Sequence, residues 1–154
     1  MNPRCLAALF LLGLAGCGVG EIEPLVYPPD PVPVPPELWQ QAEAGDATAQ
    51  FELSEHLWPA HPGDPEPFYW LVAAACQGHP VAQVNLGALY DAGDGVPRDR
   101  LEAYLWSARA AAQGEPEGRL LADELRATLT EAERAWALEP PDLADAPDCI
   151  QWRQ

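Results

Sequence analysis

Three histidines, His56, His61 and His79, are where a search for chemistry in this chain begins. His56 and His61 stand five apart across Trp58-Pro59, with Glu52 one turn before His56. Metal ligation needs donors that converge at fixed spacing, such as a CxxC pair or an HExxH helix, and neither pattern occurs. No Ser-His-Asp order, nucleophile elbow or glycine-rich phosphate loop is present. Gly93-Asp94-Gly95 falls between two helical patterns, not between strand and helix, so it is no dinucleotide fingerprint. The carboxylate pairs Glu115/Glu117 and Glu131/Glu133 open helical segments, where they complement the helix dipole. The sequence therefore assigns no catalytic, metal-binding or cofactor-binding residue, and the expectation is a protein that is not an enzyme and needs no cofactor.

The cysteines carry more information. Arg4 and the amino terminus precede an apolar run from Cys5 to Leu14 that is too short to span a bilayer as a mature anchor, the pattern of an export signal. Leu14-Ala15-Gly16-Cys17 resembles a bacterial lipobox. That resemblance implies acylation of Cys17, cleavage before it and removal of residues 1–16. Two or more acyl chains anchor a protein stably, whereas one is marginal. A secretory signal with an incidental cysteine is the other reading of the same residues. Gly18, rather than Asp, follows Cys17. By the lipoprotein pattern this implies the periplasmic face of the outer membrane in a two-membrane envelope and the cell surface otherwise.

Residues 17–36 would then be a lipidated tether. Seven prolines lie between Pro24 and Pro36, so the segment favours extended polyproline II geometry and can build no core. At ~3.1 Å per residue it reaches on the order of 60 Å. A PxxP ligand for an aromatic groove is the alternative use of such a run.

With Cys5 removed and Cys17 acylated, Cys76 and Cys149 remain in an oxidising compartment, where disulfides persist. Pairing them would fasten the C-terminal tail to the middle of the chain. The other reading leaves Cys149 free and Cys76 as a small buried residue, since Ala112 stands at the equivalent position of the following unit.

The elements that must position these residues repeat. Gly45-Asp46-Ala47-Thr48-Ala49-Gln50 aligns with Gly78-His79-Pro80-Val81-Ala82-Gln83 at an offset of 33. Trp70 and the segment to Gly78 align with Trp106 and the segment to Gly114 at an offset of 36. In the better copy, Ala82, Leu86, Leu89 and Tyr90 recur at helical spacing, Gly93 to Pro97 interrupts, Asp99 suits an N-cap, and Leu101, Tyr104, Leu105 and Ala108 resume the stripe. Paired helices repeating every thirty-odd residues signal an α-solenoid. Ala82-Gln83, Leu86-Gly87, Tyr90, Gly93-x-Gly95-Val96, Asp99, Ala103, Trp106, Ala110-Ala111 and Gly114 resemble the Sel-1-like repeat, a relative of the tetratricopeptide repeat. The first copy keeps Ala49-Gln50, Leu53, Trp70, Ala74-Ala75 and Gly78, but Pro59-Ala60-His61-Pro62-Gly63 replaces its glycine loop. The resemblance implies an all-α, short right-handed solenoid of helix hairpins over residues 37–138.

Residues 37–45 read as the second helix of a half repeat, with Leu38, Gln41 and Ala42 as its stripe. Leu120, Leu121, Ala122, Leu125 and Leu129 mark a further first helix. Thr130-Glu131-Ala132-Glu133 reads as a capping box opening a last helix, roughly 131–138, that would close the apolar end of the stack. Residues 139–154 form a proline-broken acidic tail, with Trp152 near its end.

The chain has 24 acidic residues, 8 arginines and no lysine. Without Arg4 the balance is 24 against 7, a formal −17. Nucleic acid is excluded as a partner, because phosphate contacts need a basic face. A basic protein partner fits, although an acidic surface also serves solubility alone. The repeat resemblance implies an envelope-anchored adaptor, scaffold or regulator that binds another protein through its repeat surface. An immunity-type inhibitor of a secreted toxic enzyme is the alternative, a structural spacer is another, and a peptidoglycan-modifying enzyme would need a constellation the sequence lacks. Trp70 and Trp106, being register mates, are expected to pack in the core, whereas Trp58 aligns with Asp91 at a surface position and is a contact candidate. Gln50, Glu52, Gln83 and Asn85, on the two matched first helices, are the other contact candidates.

Overall fold

Helix ends are set locally in this chain. Asp46, at the N-cap of the first complete hairpin, accepts from the Ala49 amide at 2.8 Å. Asp99 accepts from the amides of Leu101 and Glu102 at 2.9 and 3.1 Å. Each hairpin closes on a left-handed glycine: Gly78 has φ +88°, and its register mates Gly45 and Gly114 have +93° and +98°. A residue with a Cβ is strained there, so these positions stop one helix and turn the chain into the next.

The computed structural model describes residues 33–58, 64–138 and Cys149. Among them are seven α-helices and no strand: α1 (Pro36–Glu43), α2 (Ala47–Leu57), α3 (Glu66–Cys76), α4 (Pro80–Ala92), α5 (Arg100–Ala112), α6 (Pro116–Thr128) and α7 (Glu131–Trp136). The pairs α2–α3 and α4–α5 are the two aligned hairpins. The half repeat α1 packs on α2, and α6 packs on α5. The expected export signal 1–16, Cys17, the tether up to residue 32, the loop 59–63 with His61, and the tail other than Cys149 lie outside the described residues.

Two apolar clusters hold the stack. Leu38 and Ala42 of α1 meet Ala49, Leu53 and Leu57 of α2, with Trp39 and Trp70 against them. Leu71, Val72 and Ala75 of α3 meet Ala82 and Leu86 of α4 and Trp106 of α5. Cys149 belongs to this second cluster and is disulfide-bonded to Cys76, with Cα atoms 5.6 Å apart. The free-thiol reading of Cys149 does not describe this structure.

The C-terminal end differs from the expectation. The capping box at Thr130 and Glu133 forms, because it needs only local atoms. Thr130 donates through its hydroxyl and its amide to the Glu133 carboxylate, and these bonds hold that carboxyl below its usual range. Yet α7 stops at Trp136 and buries none of its residues. Trp136 and Leu138 are 47% and 79% exposed, so α7 does not close the stack. Leu125 and Leu129 are buried as the helical stripe requires, while Leu120 is 71% exposed.

Candidate binding surface

The contact candidates split into two groups once the helices are placed. Gln50 is 4% exposed and Gln83 is fully buried, so neither can touch a partner. Their assignment as contact residues is corrected here. Gln50 Nε2 donates to the Ala42 carbonyl at 3.0 Å, and Gln83 Nε2 donates to the Ala75 carbonyl at 3.1 Å. Both carbonyls lie near the C-terminal end of the preceding helix, where intrahelical donors run out. Each glutamine then accepts from a second one: Gln77 Nε2 reaches Gln50 Oε1 at 2.6 Å, and Gln113 Nε2 reaches Gln83 Oε1 at 2.8 Å. The same four-atom ladder is built twice at the repeat offset. It fixes each hairpin against its predecessor through satisfied buried polar groups. Gln77 and Gln113 went unassigned in the sequence, although their shared offset of 36 was a usable signal.

Glu52 is exposed, and Asn85 is half-buried. Asn85 Nδ2 donates to Glu55 Oε1 at 3.4 Å, a contact that bridges the outward faces of α2 and α4. Register extends this surface to Leu121 and Glu124 on α6. Trp58, at the C-cap of α2, is 37% exposed. Between residues 33 and 97 the sequence has nine Asp and Glu and no Arg or Lys. The first-helix face around Glu52 and Glu55 therefore lies in the acidic half of the molecule.

A concavity lies between α1 and α3. This cleft of about 510 Å³ is lined by Ala42, Gly45, Gln50, Trp70, Cys76 and Gln77, among others. Trp39 meets Trp70 edge-on at 6.1 Å beside it. At the register mate of Trp70, Trp106 is fully buried, and the Arg109 guanidinium sits 4.8 Å over its ring.

His79 works on the backbone. It is the N-cap of α4, where its Nδ1 accepts from the Ala82 amide at 3.2 Å, and its ring stacks on Phe51 at 4.7 Å. Burial lowers its pKa, against the pull of Glu115, Asp46 and Glu52. The folded state thus favours the neutral ring below the unfolded pKa of about 6.5. In that range the unfolded chain binds more protons, so stability rises with pH and is fully present above it. Acidification through 6.5 should weaken the domain by up to the worth of a cap, about 1 kcal/mol. Urea titrations at pH 7.5 and 5.5 check this: the difference should shrink in His79→Asn, which caps at both values, and persistence of the full difference would contradict it.

Among the described residues no three His, Cys, Asp or Glu side chains converge on a common point. What the arrangement offers is a stack of hairpins with an acidic face and an indole-lined cleft, which is the equipment of a helical-repeat binding module. The model of the Sel1 repeat matches residues 68–79 and 80–115. The chain is also similar to the crystal structure of a Sel1 repeat protein from Oxalobacter formigenes, at 31% identity and a TM-score of 0.51, over 68% of this chain and 96% of that one. No curated protein matches. The chain belongs to the Sel1 repeat family. Repeats of this family are protein-interaction modules and generally not enzymes.

Proposed function

We propose that the chain is an envelope-anchored lipoprotein that binds a basic protein segment through the first-helix face of its repeats. In this reading residues 1–16 are removed and Cys17 is acylated. Residues 17–36 hold the domain away from the bilayer, residues 37–138 bind, and 139–154 form an acidic tail. The observation that carries the binding assignment is the joined surface of α2 and α4 at Glu52, Glu55 and Asn85, in a half of the sequence without a lysine or arginine. Such a field steers a positive partner and sets its orientation.

A pulldown from detergent-solubilised envelope tests both parts. The wild-type chain should take up labelled fatty acid and retain one stoichiometric partner with a basic surface. Cys17→Ala should remain an unprocessed precursor without label. Glu52→Arg with Glu55→Arg should release the partner at least tenfold more readily without lowering the melting temperature. Unchanged labelling of Cys17→Ala would end the lipoprotein assignment, and unchanged retention by the charge-reversed protein would end that of the face. A captured secreted enzyme that loses activity in the complex would identify the adaptor as an inhibitor.

A further inference from the structure

Helix α7 buries none of its residues, yet a complete capping box at Thr130 and Glu133 fixes its start. It seals no core. What it builds is one wall of a pocket of about 280 Å³, shared with the end of α6 and with Tyr104 of α5. Leu129, Ala135, Ala137 and Leu138 give this pocket an apolar lining. Arg126 lines it from α6 and Arg134 from α7.

The repeat supplies an internal comparison. At an offset of 36, Pro116 aligns with Pro80, Leu125 with Leu89 and Arg126 with Tyr90. Leu89 and Tyr90 are partly buried against the apolar cluster of α3, α4 and α5. In the third first-helix of the stack, the packing position of Tyr90 therefore carries an exposed cation. The arginines of this half are used differently from one another. Arg98 pairs with Asp91 at 2.9 Å, and Arg109 lies over Trp106. The side chains of Arg126 and Arg134 make no ion pair among the described residues.

Glu131 also lines the pocket, so two guanidiniums and one carboxylate leave it a single net positive charge. One carboxylate neutralises that charge, whereas a phosphate dianion overshoots it and meets Glu131. Guanidiniums grip a carboxylate through paired N–H donors. The apolar lining calls for hydrocarbon on the same molecule. The volume lies at the small end of ligand pockets, which hold about 300–1,000 Å³.

We propose that the pocket of α5, α6 and α7 binds a monocarboxylate with a compact apolar body, its carboxylate between Arg126 and Arg134 and its hydrocarbon against Leu129 and Leu138. A free short-chain acid and an apolar residue at the end of a peptide both offer this chemistry. The site is separate from the face of α2 and α4 and does not rest on the function assigned to that face.

Calorimetric titration of the full chain with 4-methylpentanoate, its uncharged amide and inorganic phosphate tests the site. The acid should bind saturably, and the amide and phosphate about tenfold more weakly or not at all. Arg126→Gln and Arg134→Gln should each weaken the acid about tenfold without lowering the melting temperature. Arg119→Gln should not, since Arg119 is exposed on the same helix but outside the pocket. A short peptide ending in leucine, as free acid and as amide, separates the two sources. Tighter binding of the peptide acid than of 4-methylpentanoate assigns the site to a chain end, and weaker binding assigns it to the free acid. No saturable binding of either acid would overturn the proposal. So would equal binding of acid and amide, phosphate binding as tightly as the acid, or an equal loss in Arg119→Gln, which would reduce the effect to diffuse charge.

Discussion

Trp106→Ala is expected to cost about 3–5 kcal/mol, the range for removing a large aromatic from a packed core. The residue is 0% exposed and belongs to the cluster that joins α3, α4, α5 and Cys149. Its loss leaves a cavity that no single helix can fill by shifting, because α5 is held by α4 on one side and α6 on the other. It also removes the ring beneath the Arg109 guanidinium, a contact worth about 1–2 kcal/mol where water is excluded. Domains of this size have total stabilities of about 5–15 kcal/mol, so a large share is at stake. In a thermal melt of oxidised protein the midpoint should fall on the order of 15 °C or more, taking ~4–8 °C per kcal/mol. Trp70→Ala should cost less, because Trp70 is only half-buried beside the α1–α3 cleft. Equal losses at the two positions, or a drop of only a few degrees at Trp106, would show that the two register mates do not differ as the structure places them.

The contrast between these tryptophans marks what the sequence could and could not convey. Their common register, and hence their place on the second helix of each hairpin, follows from the offset of 36. Which one is sealed depends on the elements packed around it, α4 and α6 on either side of α5, and these lie far from it in sequence. The same division runs through the other elements. The caps at Asp99 and Thr130 were legible because donor and acceptor lie within three residues. The break at Gly93 to Pro97 was legible because positive φ is a local demand, met at Gly93 and Gly95. Gln50 and Gln83 misled because a polar side chain at a helical position is usually solvated, and only the neighbouring helix reveals the carbonyls of Ala42 and Ala75 that draw them inward. Glu55 escaped notice as a surface residue for a related reason: its importance comes from Asn85, thirty residues away in sequence. The length of α7 could not be read because helix propensity sets where a helix starts and packing sets whether it seals anything.

Gly118→Leu is the second substitution with a large expected cost, and it acts by adding volume. Gly118 stands in the first turn of α6, where the propensity deficit of glycine, at most about 1 kcal/mol, would favour leucine. Geometry opposes this. A Cβ at Gly118 would stand 2.8 Å from the Ala110 Cβ and 3.0 Å from both the Ala111 nitrogen and the Ser107 carbonyl oxygen. Two of those three atoms are backbone of α5 and cannot rotate away. Gly87 makes the matching approach from α4, where a Cβ would lie 2.5 Å from Ser107 Oγ and 3.0 Å from the Ala103 carbonyl oxygen. Helix α5 is thus held between two helices that touch its backbone through glycine. Leucine at 118 must push α6 away from α5, which loosens Ala122 and Leu125 and uncovers Ala110. Overpacking of this kind costs about 1–3 kcal/mol, and the lost burial of two apolar side chains adds about 1–2 kcal/mol at partial exposure. The steric loss exceeds the propensity gain, so a net cost of about 1–4 kcal/mol is expected. Glu117→Leu is the control, since Glu117 is one residue away on the same helix and exposed. Urea unfolding followed by circular dichroism should move the midpoint of Gly118→Leu well below that of Glu117→Leu, which should lie near the wild-type value. A Gly118→Leu protein as stable as the control would mean that α6 does not rest on the α5 backbone, and the third first-helix of the stack would have to be placed elsewhere.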